Sequence, residues 1–317
     1  MTARDRGLPI PPALQETKYS WLGEVYRGKV RDSYVSGDKR VLIATDRLSA
    51  FDRVISTVPG KGQVLTAMAA YWFNRTKGIV ANHLIGIPDP NVMVVKDVSI
   101  VPVEVIVRGY LAGSAWRDYE AGRLVSGHRI RAGMSQFEQF PTPLVTPCTK
   151  EAMGKHDMPI SESELLARGL VGREHWEEIR ATALKLFDLG SREVAARGLL
   201  FADTKYEFGL LEGRVVLADE IHTLDSSRFW VRDSYERNLS KGEPPEMLDK
   251  EPIRRWLIER GFMGEGQPPE IDNDYRMALR EHYTTSAERI TGEICDLDDS
   301  EPIARIARNV RDFIGIN

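Results

Sequence analysis

Asp203, Glu207, Asp219, Glu220 and Asp225 stand among apolar runs within residues 199–230, LLFADTKYEFGLLEGRVVLADEIHTLDSSRFW, with Lys205 and Arg228 close by. Carboxylates inside strand-like sequence need a compensating charge, because burying one alone costs several kcal/mol. A metal or charged ligand would supply it; so would a salt-bridged hairpin in which Lys205 and Arg214 neutralise the acids. Asp203, Lys205 and Glu207 are two apart, so an extended strand puts them on one face. Residues 214–220, RVVLADE, read as the returning strand, with Gly213 marking the hairpin. A three-residue connection sets Asp219 opposite Lys205; a two-residue turn moves Asp219 to the other face and exposes Glu220 instead. Either register gathers carboxylates and a lysine at one end of the hairpin, a set suited to Mg2+ bridging phosphate oxygens.

A second chemistry lies in IVPVEVIVRGYLAGS, residues 100–114: an apolar strand carrying Glu104 and Arg108, then a turn to Ser114, which reads as a helix N-cap. A helix start beside a guanidinium makes an anion site; the plainer alternative pairs Arg108 with Glu104. Gly28-Lys29 with Arg31 reads as a basic strand able to lie over phosphates, or as a solvated edge. The connection DRLSAFD, residues 46–52, offers Ser49 and two aspartates for capping or ligand binding. Residues 136–160 read as an irregular, Pro- and Gly-containing loop with Lys150, His156 and Asp157 as its candidate side chains, hypothesised to close over the site.

The elements that must position these groups are mixed. Strands are expected over residues 24–34, 39–46, 80–87 and 92–96, an amphipathic helix over 61–77, a short helix opened by the Ser161/Glu164 capping box, and a long helix over 174–197. Helices over 252–260, 274–291 and 301–313, the last capped by Ser300, follow the acid stretch. The 317 residues suffice for about two domains. Lys and Arg total 43 against 47 Asp and Glu, a net charge of -4, which argues against a nucleic-acid or anionic-membrane surface. No run approaches the roughly 18 apolar residues of a membrane span. Cys148 and Cys295 have neither zinc-ligand nor disulfide-framework spacing, and the N-terminus lacks a secretory h-region, so a reducing cytoplasm is expected.

Taken together, IVPVEVIVRGYLAGS and ADTKYEFG, with YRGKVRD, DRLSAFD, TKEAMGKHD and DEIHTLDSSRFW in the same order, resemble the phosphoribosylaminoimidazole-succinocarboxamide (SAICAR) synthetase family. The resemblance spans about residues 20–235 and, more loosely, the C-terminal helices. It implies an α+β fold of two lobes: a strand-rich lobe over residues 1–107 covering ATP, and a larger lobe over 108–317 with the metal and substrate site. It implies an ATP-dependent ligase of purine biosynthesis that joins L-aspartate to the carboxylate of carboxyaminoimidazole ribonucleotide (CAIR) through an acyl phosphate. On this similarity Lys29 and Arg31 face the ATP phosphates, Val103 and Glu104 line the adenine pocket, and Glu220 supports the nucleotide. Asp203, Glu207 and Asp219 hold Mg2+, and Lys205 and Asp219 carry the catalysis. Arg108, Ser114 and Arg228 hold the ribonucleotide phosphate, while Ser49, Lys150, Asp157 and Asp225 belong to the substrate side. The chain's length resembles the fungal form, whose extra C-terminal helices would cover a surface that shorter members use for dimerisation, so a monomer is favoured over a homodimer. A different ATP-dependent carboxylate–amine ligase, or a nucleotide-binding regulator without turnover, are the competing readings.

Overall fold

The computed structural model describes residues 10–150 and 158–316. After a 3-10 turn at Ser20–Leu22 come β1 (Val25–Arg27), β2 (Arg31–Ser36), β3 (Lys39–Ala44), a separate hairpin β4 (Arg47–Ala50) and β5 (Arg53–Thr57), α1 (Lys61–Arg75), β6 (Leu84–Asp89) and β7 (Val92–Lys96). Outside the β4–β5 hairpin these strands form one sheet in the order β1-β2-β3-β7-β6. A second sheet is built from β8 (Ser99–Tyr110), β9 (Gln139–Thr149), β10 (Leu199–Leu211), β11 (Arg214–Ala218) and β12 (Ser227–Val231), in the order β11-β10-β8-β9 with β12 also on β10. Around them lie α2 (Gly113–Glu120), α3 (Glu162–Ala167), α4 (Arg173–Ala195), α5 (Arg232–Leu239), α6 (Glu251–Glu259), α7 (Asn273–Thr291) and α8 (Pro302–Ile314). The fold is α+β.

Period-two alternation explains why the first sheet is apolar on both faces. Leu42, Met93 and Val95 point into the main core with Leu65, Met68, Trp72 and Phe73 of α1, and that core continues through β8 and β10 to Ile179, Ala183 and Leu186 of α4. Val41, Ile43, Val92 and Val94 point the other way, onto Leu14, Tyr19, Leu22 and the Ile306 and Val310 stripe of α8. Strand β8 runs through residue 107, and the main core takes side chains from both sides of that point.

Several expectations are corrected here. Residues 24–34 are not one strand: Val25 pairs with Tyr34 and Arg27 with Asp32, so Gly28-Lys29-Val30 sits at a hairpin tip. DRLSAFD is largely strand β4, turning through Phe51 and Asp52, both at positive φ. Residues 139–149 are strand β9 rather than loop, despite Pro141, Pro143 and Pro147, because β9 is the sheet edge and an edge strand can spare amide donors. Of the expected loop, residues 151–157, His156 and Asp157 among them, lie outside the described residues. Ser114 is within α2, whose N-cap is Ala112, and α8 is capped by Glu301, which accepts from the amides of Ile303 and Ala304, rather than by Ser300.

Helix α8 is tied down by charge as well as by its apolar stripe. Arg305, 4% exposed, donates to Asp89 (3.0 Å), to Asn91 Oδ1 (2.7 Å) and to the Asp298 carbonyl (3.0 Å). Gln63 at the start of α1 exchanges two hydrogen bonds of 2.8 Å with the backbone of Asp298. The C-terminal segment thus grips both the first sheet and α1. Arg305→Met should cost about 3–5 kcal/mol, the range for leaving one member of a buried pair uncompensated, because Asp89 keeps its charge with no exposure. Urea unfolding of the variant measures it; a loss below about 1 kcal/mol would contradict the latch.

Candidate active site

The acid stretch folds as a hairpin whose turn has two residues. Leu211 pairs with Arg214, and Glu212 and Gly213 between them are both at positive φ, 51° and 76°, the signature of a type I′ turn matched to strand twist. This is the register that brings Glu220 rather than Asp219 to the lysine face. Strand β11 nevertheless ends at Ala218, two residues sooner than the sequence suggests. Asp219 turns into the left-handed region at φ 62°, which breaks the alternation and lets both acids reach one guanidinium. Arg31 Nη2 lies 2.6 Å from Asp219 and 3.0 Å from Glu220. Burial opposes the Arg31 charge, but Asp219, Glu220 and Glu207 overcome it and hold the group above its ordinary pKa.

Glu207 is directly opposite Glu104 on β8, a like-charge pair that would repel. Lys205 answers it, 2.6 Å from Glu104 and 3.9 Å from Glu207, and Lys150 also bonds to Glu207. Burial works against the lysine charge; Glu104 and Glu207 more than reverse that and raise the Lys205 pKa. Lys29 at its hairpin tip pairs with Asp52 at 2.5 Å, on the same β4–β5 hairpin that carries Ser49. Val103 is buried in the main core on β8, one residue before Glu104. A small cavity beside this group is lined by Val30, Arg31, Ala44, Leu65, Met93 and Glu220. Its apolar walls, from β3, β7 and α1, went unnoticed in the sequence because they read only as core.

Asp203 belongs to a different group. It is in register with Arg108 on one side and Arg228 on the other, with Arg228 the closer partner (2.6 Å against 3.5 Å). Arg108 also donates to Thr146 and, at 3.0 Å, to Ser114 Oγ near the start of α2. Arg108 therefore serves Asp203, not Glu104. Asp225 is elsewhere again: 3% exposed, it meets Lys61 at 2.7 Å, Lys250 at 3.0 Å and the Tyr283 hydroxyl at 3.1 Å. Burial would raise its pKa, but Lys250 and Lys61 drive it well below the usual carboxylate range. Lys61 was legible in principle, since a lysine between two glycines at a helix start opposes the macrodipole and asks for an anion.

The proposed metal trio is therefore not gathered. Asp203 and Glu207 are four residues apart on β10, about 13 Å by strand rise, and the arginines hold Asp203. Among the described residues no group of three or more His, Cys, Asp or Glu could hold a metal ion unaided. Glu207, Asp219 and Glu220 are hard oxygen donors; they fit an Mg2+ that takes one or two carboxylates and otherwise phosphate oxygens and water, and do not fit an all-protein cage. A cavity of about 660 Å³ between α7 and Cys295 and Leu297 includes none of these groups.

A model of the family described as SAICAR synthetase matches residues 24–270. The chain belongs to that family. It is 45% identical over 310 residues to the phosphoribosylaminoimidazole-succinocarboxamide synthase of Bacteroides thetaiotaomicron, covering 95% of this chain and 99% of that one. The Legionella pneumophila (strain Paris) synthase is 41% identical over 315 residues, covering 96% and 100%. Among solved structures, the Saccharomyces cerevisiae SAICAR synthase complexed with SAICAR superposes with a TM-score of 0.79 at 31% identity, over 89% of this chain and 99% of that one. A type-2 SAICAR synthetase in complex with ADP gives 0.66 at 26% identity, over 86% and 99%.

Two predictions concern this SAICAR synthetase site. Asp203→Asn should destabilise the ligand-free protein by about 3 kcal/mol, because it strands the buried Arg108 guanidinium and removes the nearer partner of the half-buried Arg228; a melting temperature at or above the parent's would return Asp203 to a role in which it suffers like-charge repulsion. The second concerns His222, buried under the hairpin and bonded to Tyr206 at 2.7 Å, whose pKa is lowered by burial to about 3 from 6.5. Burial lowers His83 to about 4 as well. Below 6.5 the unfolded chain binds protons that the folded one refuses, so stability is full above that pH and falls as pH drops toward the folded values. Each such histidine adds a slope of about 1.4 kcal/mol per pH unit near pH 5.5. Denaturant unfolding between about pH 7 and pH 5 should show His222→Asn losing about one histidine's share; an unchanged slope would contradict the burial.

Proposed function

We propose that the chain catalyses the ATP-dependent condensation of CAIR with L-aspartate to SAICAR, releasing ADP and phosphate. The observation that carries this reading is the pair of cation groups served by one strand. Arg108 and Arg228 converge at Asp203; Lys205, Lys150 and Arg31 converge around Glu207, Asp219 and Glu220, about 13 Å along β10. A ribonucleotide can bridge such a spacing, with its 5′-phosphate on the arginines and Ser114 and its carboxylate among the lysines. The SAICAR and ADP bound in the related structures support the same pairing of substrate classes.

A carboxylate is a poor acyl donor to an amine, so ATP must first convert it to an acyl phosphate, and that transfer needs cations and alignment rather than a nucleophilic side chain. Lys29, Arg31 and Lys205 are assigned to the migrating phosphoryl group. The strand-rich part, residues 1–107, covers the nucleotide, and residues 108–317 carry the substrate groups. Val103 and Glu104 are assigned to the adenine side, and Ser49, Lys150 and Asp157 to the carboxylate and aspartate. Asp219 takes the proton lost by the aspartate amine, once Arg31 has turned to the phosphates. Glu207 and Asp219, with Glu220 beside them, would hold Mg2+, which neutralises phosphate charge when bound. Asp225 acts from beneath, through Lys61 and Lys250. Helix α8 on the outer face of the first sheet supports a monomer.

The test is phosphate release with ATP, CAIR and L-aspartate together and with each omitted. Full release should need all three; release that ignores aspartate or CAIR would favour another ligase of the same scaffold. Lys205→Met should reduce kcat by about 10²–10³, as for removal of one preorganised donor to developing charge. A kcat within about threefold of the parent would remove Lys205 from the machinery.

A further inference from the structure

The β1–β2 hairpin tip is held from beneath in an unusual way. Three consecutive carbonyls, those of Gly28, Lys29 and Val30, all accept from side chains on the inner side. Arg47 Nη2 donates to Gly28 O (3.0 Å), Arg47 Nε to Lys29 O (3.1 Å), and Thr45 gives both its amide (2.9 Å) and its hydroxyl (2.8 Å) to Val30 O. Arg47 is itself fixed by Asp32, at 2.8 Å, and by the Gln15 carbonyl, at 2.6 Å. Asp32 has no exposure and is held in turn by the amide and hydroxyl of Thr17. In a planar trans peptide the C=O and the following N–H point in opposite directions. Anchoring the carbonyls of Gly28 and Lys29 inward therefore turns the amides of Lys29 and Val30 outward. Among the described residues neither amide donates to a protein acceptor. Successive outward amides form a concavity that binds anions, and Lys29 and Arg31 flank it.

We propose that Arg47 is a positioning residue for the nucleotide: from inside the first lobe it and Thr45 preset the Lys29 and Val30 amides as donors to the nucleotide's phosphate oxygens. The proposal rests on the reading that this tip covers the ATP phosphates. It assigns the strand β4 arginine a task that its charge alone would not perform, since its guanidinium is turned away from the cleft and spent on backbone oxygens. A lysine there keeps the charge but lacks the planar fork that reaches Gly28, Lys29, Gln15 and Asp32 together.

The experiment combines calorimetry and amide NMR on the full chain with MgADP, adenosine and CAIR. In the parent, the Lys29 and Val30 amide signals should shift with MgADP and stay in place with adenosine; if MgADP moves neither, the reading of the tip as a phosphate cover fails. Arg47→Lys should weaken MgADP by about ten- to a hundredfold, as expected when two charge-assisted hydrogen bonds lose alignment, with adenosine and CAIR affinities within about twofold. Equal weakening of MgADP, adenosine and CAIR would mark Arg47 as structural only. MgADP affinity and amide shifts matching the parent would overturn the proposal while leaving the tip's role intact. If Arg47→Lys does not fold, Thr45→Val removes only the hydroxyl donor to Val30 and should weaken MgADP about threefold without touching adenosine; an unchanged ratio of the two affinities overturns the proposal on its own.

Discussion

Charge taken out of water must be answered by charge, and β10 imposes that condition along its length. Asp203 is answered by arginines from the strands on both sides, Glu207 by lysines from its own strand and from the end of β9, and the two acids beyond β11 by an arginine from the other sheet. Apart from the contact of 3.9 Å between Lys205 and Glu207, both on β10, these pairs join different elements. The two sheets have to meet where they do, or Glu220 and the partly buried Asp219 lose the cation they share. The same pairs make the site responsive: each anion already holds a cation that an anionic substrate would claim.

That dependence on partners from other strands decides what could be read from the sequence. The strand alternation of Asp203, Lys205 and Glu207, the long helix stopped by Gly198 and the helical stripe of α1 are local, and local pattern revealed them. The partner of Asp203 was not local. Arg228 lies 25 residues away and Arg108 lies 95 away, so no spacing rule connects them. Glu104 and Lys205 are likewise joined only because β8 and β10 are in register. The hairpin's two possible registers could not be separated in sequence, since Glu212 and Gly213 accept a two-residue turn as readily as Leu211 joins a longer one. Asp219's left-handed backbone was invisible for a similar reason: it follows from where β11 stops, which tertiary contacts set.

The family model stops at residue 270, yet the chain beyond it is structural rather than appended. Tyr283 of α7 reaches Asp225, Gln63 of α1 clasps Asp298, and Arg305 of α8 holds Asp89 and Asn91 on the first sheet. A single C-terminal segment thus touches the base of the site and the outer face of the sheet that carries the Gly28–Val30 tip. Leu297 packs against Gly60, where a side chain would leave only 3.0 Å, so even the entry to α1 is shaped by that segment.

The last of the β9 prolines, Pro147, has a further meaning. Thr149 gives its amide to the Met158 carbonyl, and the Pro147 carbonyl accepts from the Ile160 amide, so odd-numbered residues of β9 direct their backbone groups away from β8. Pro147 is one of them. Its missing donor therefore breaks no hydrogen bond to β8, and its carbonyl still holds residues 158–160 against the sheet margin. A residue that reads in sequence as a strand breaker stands where the strand needs no donor, and the margin it leaves is occupied by the chain's own return.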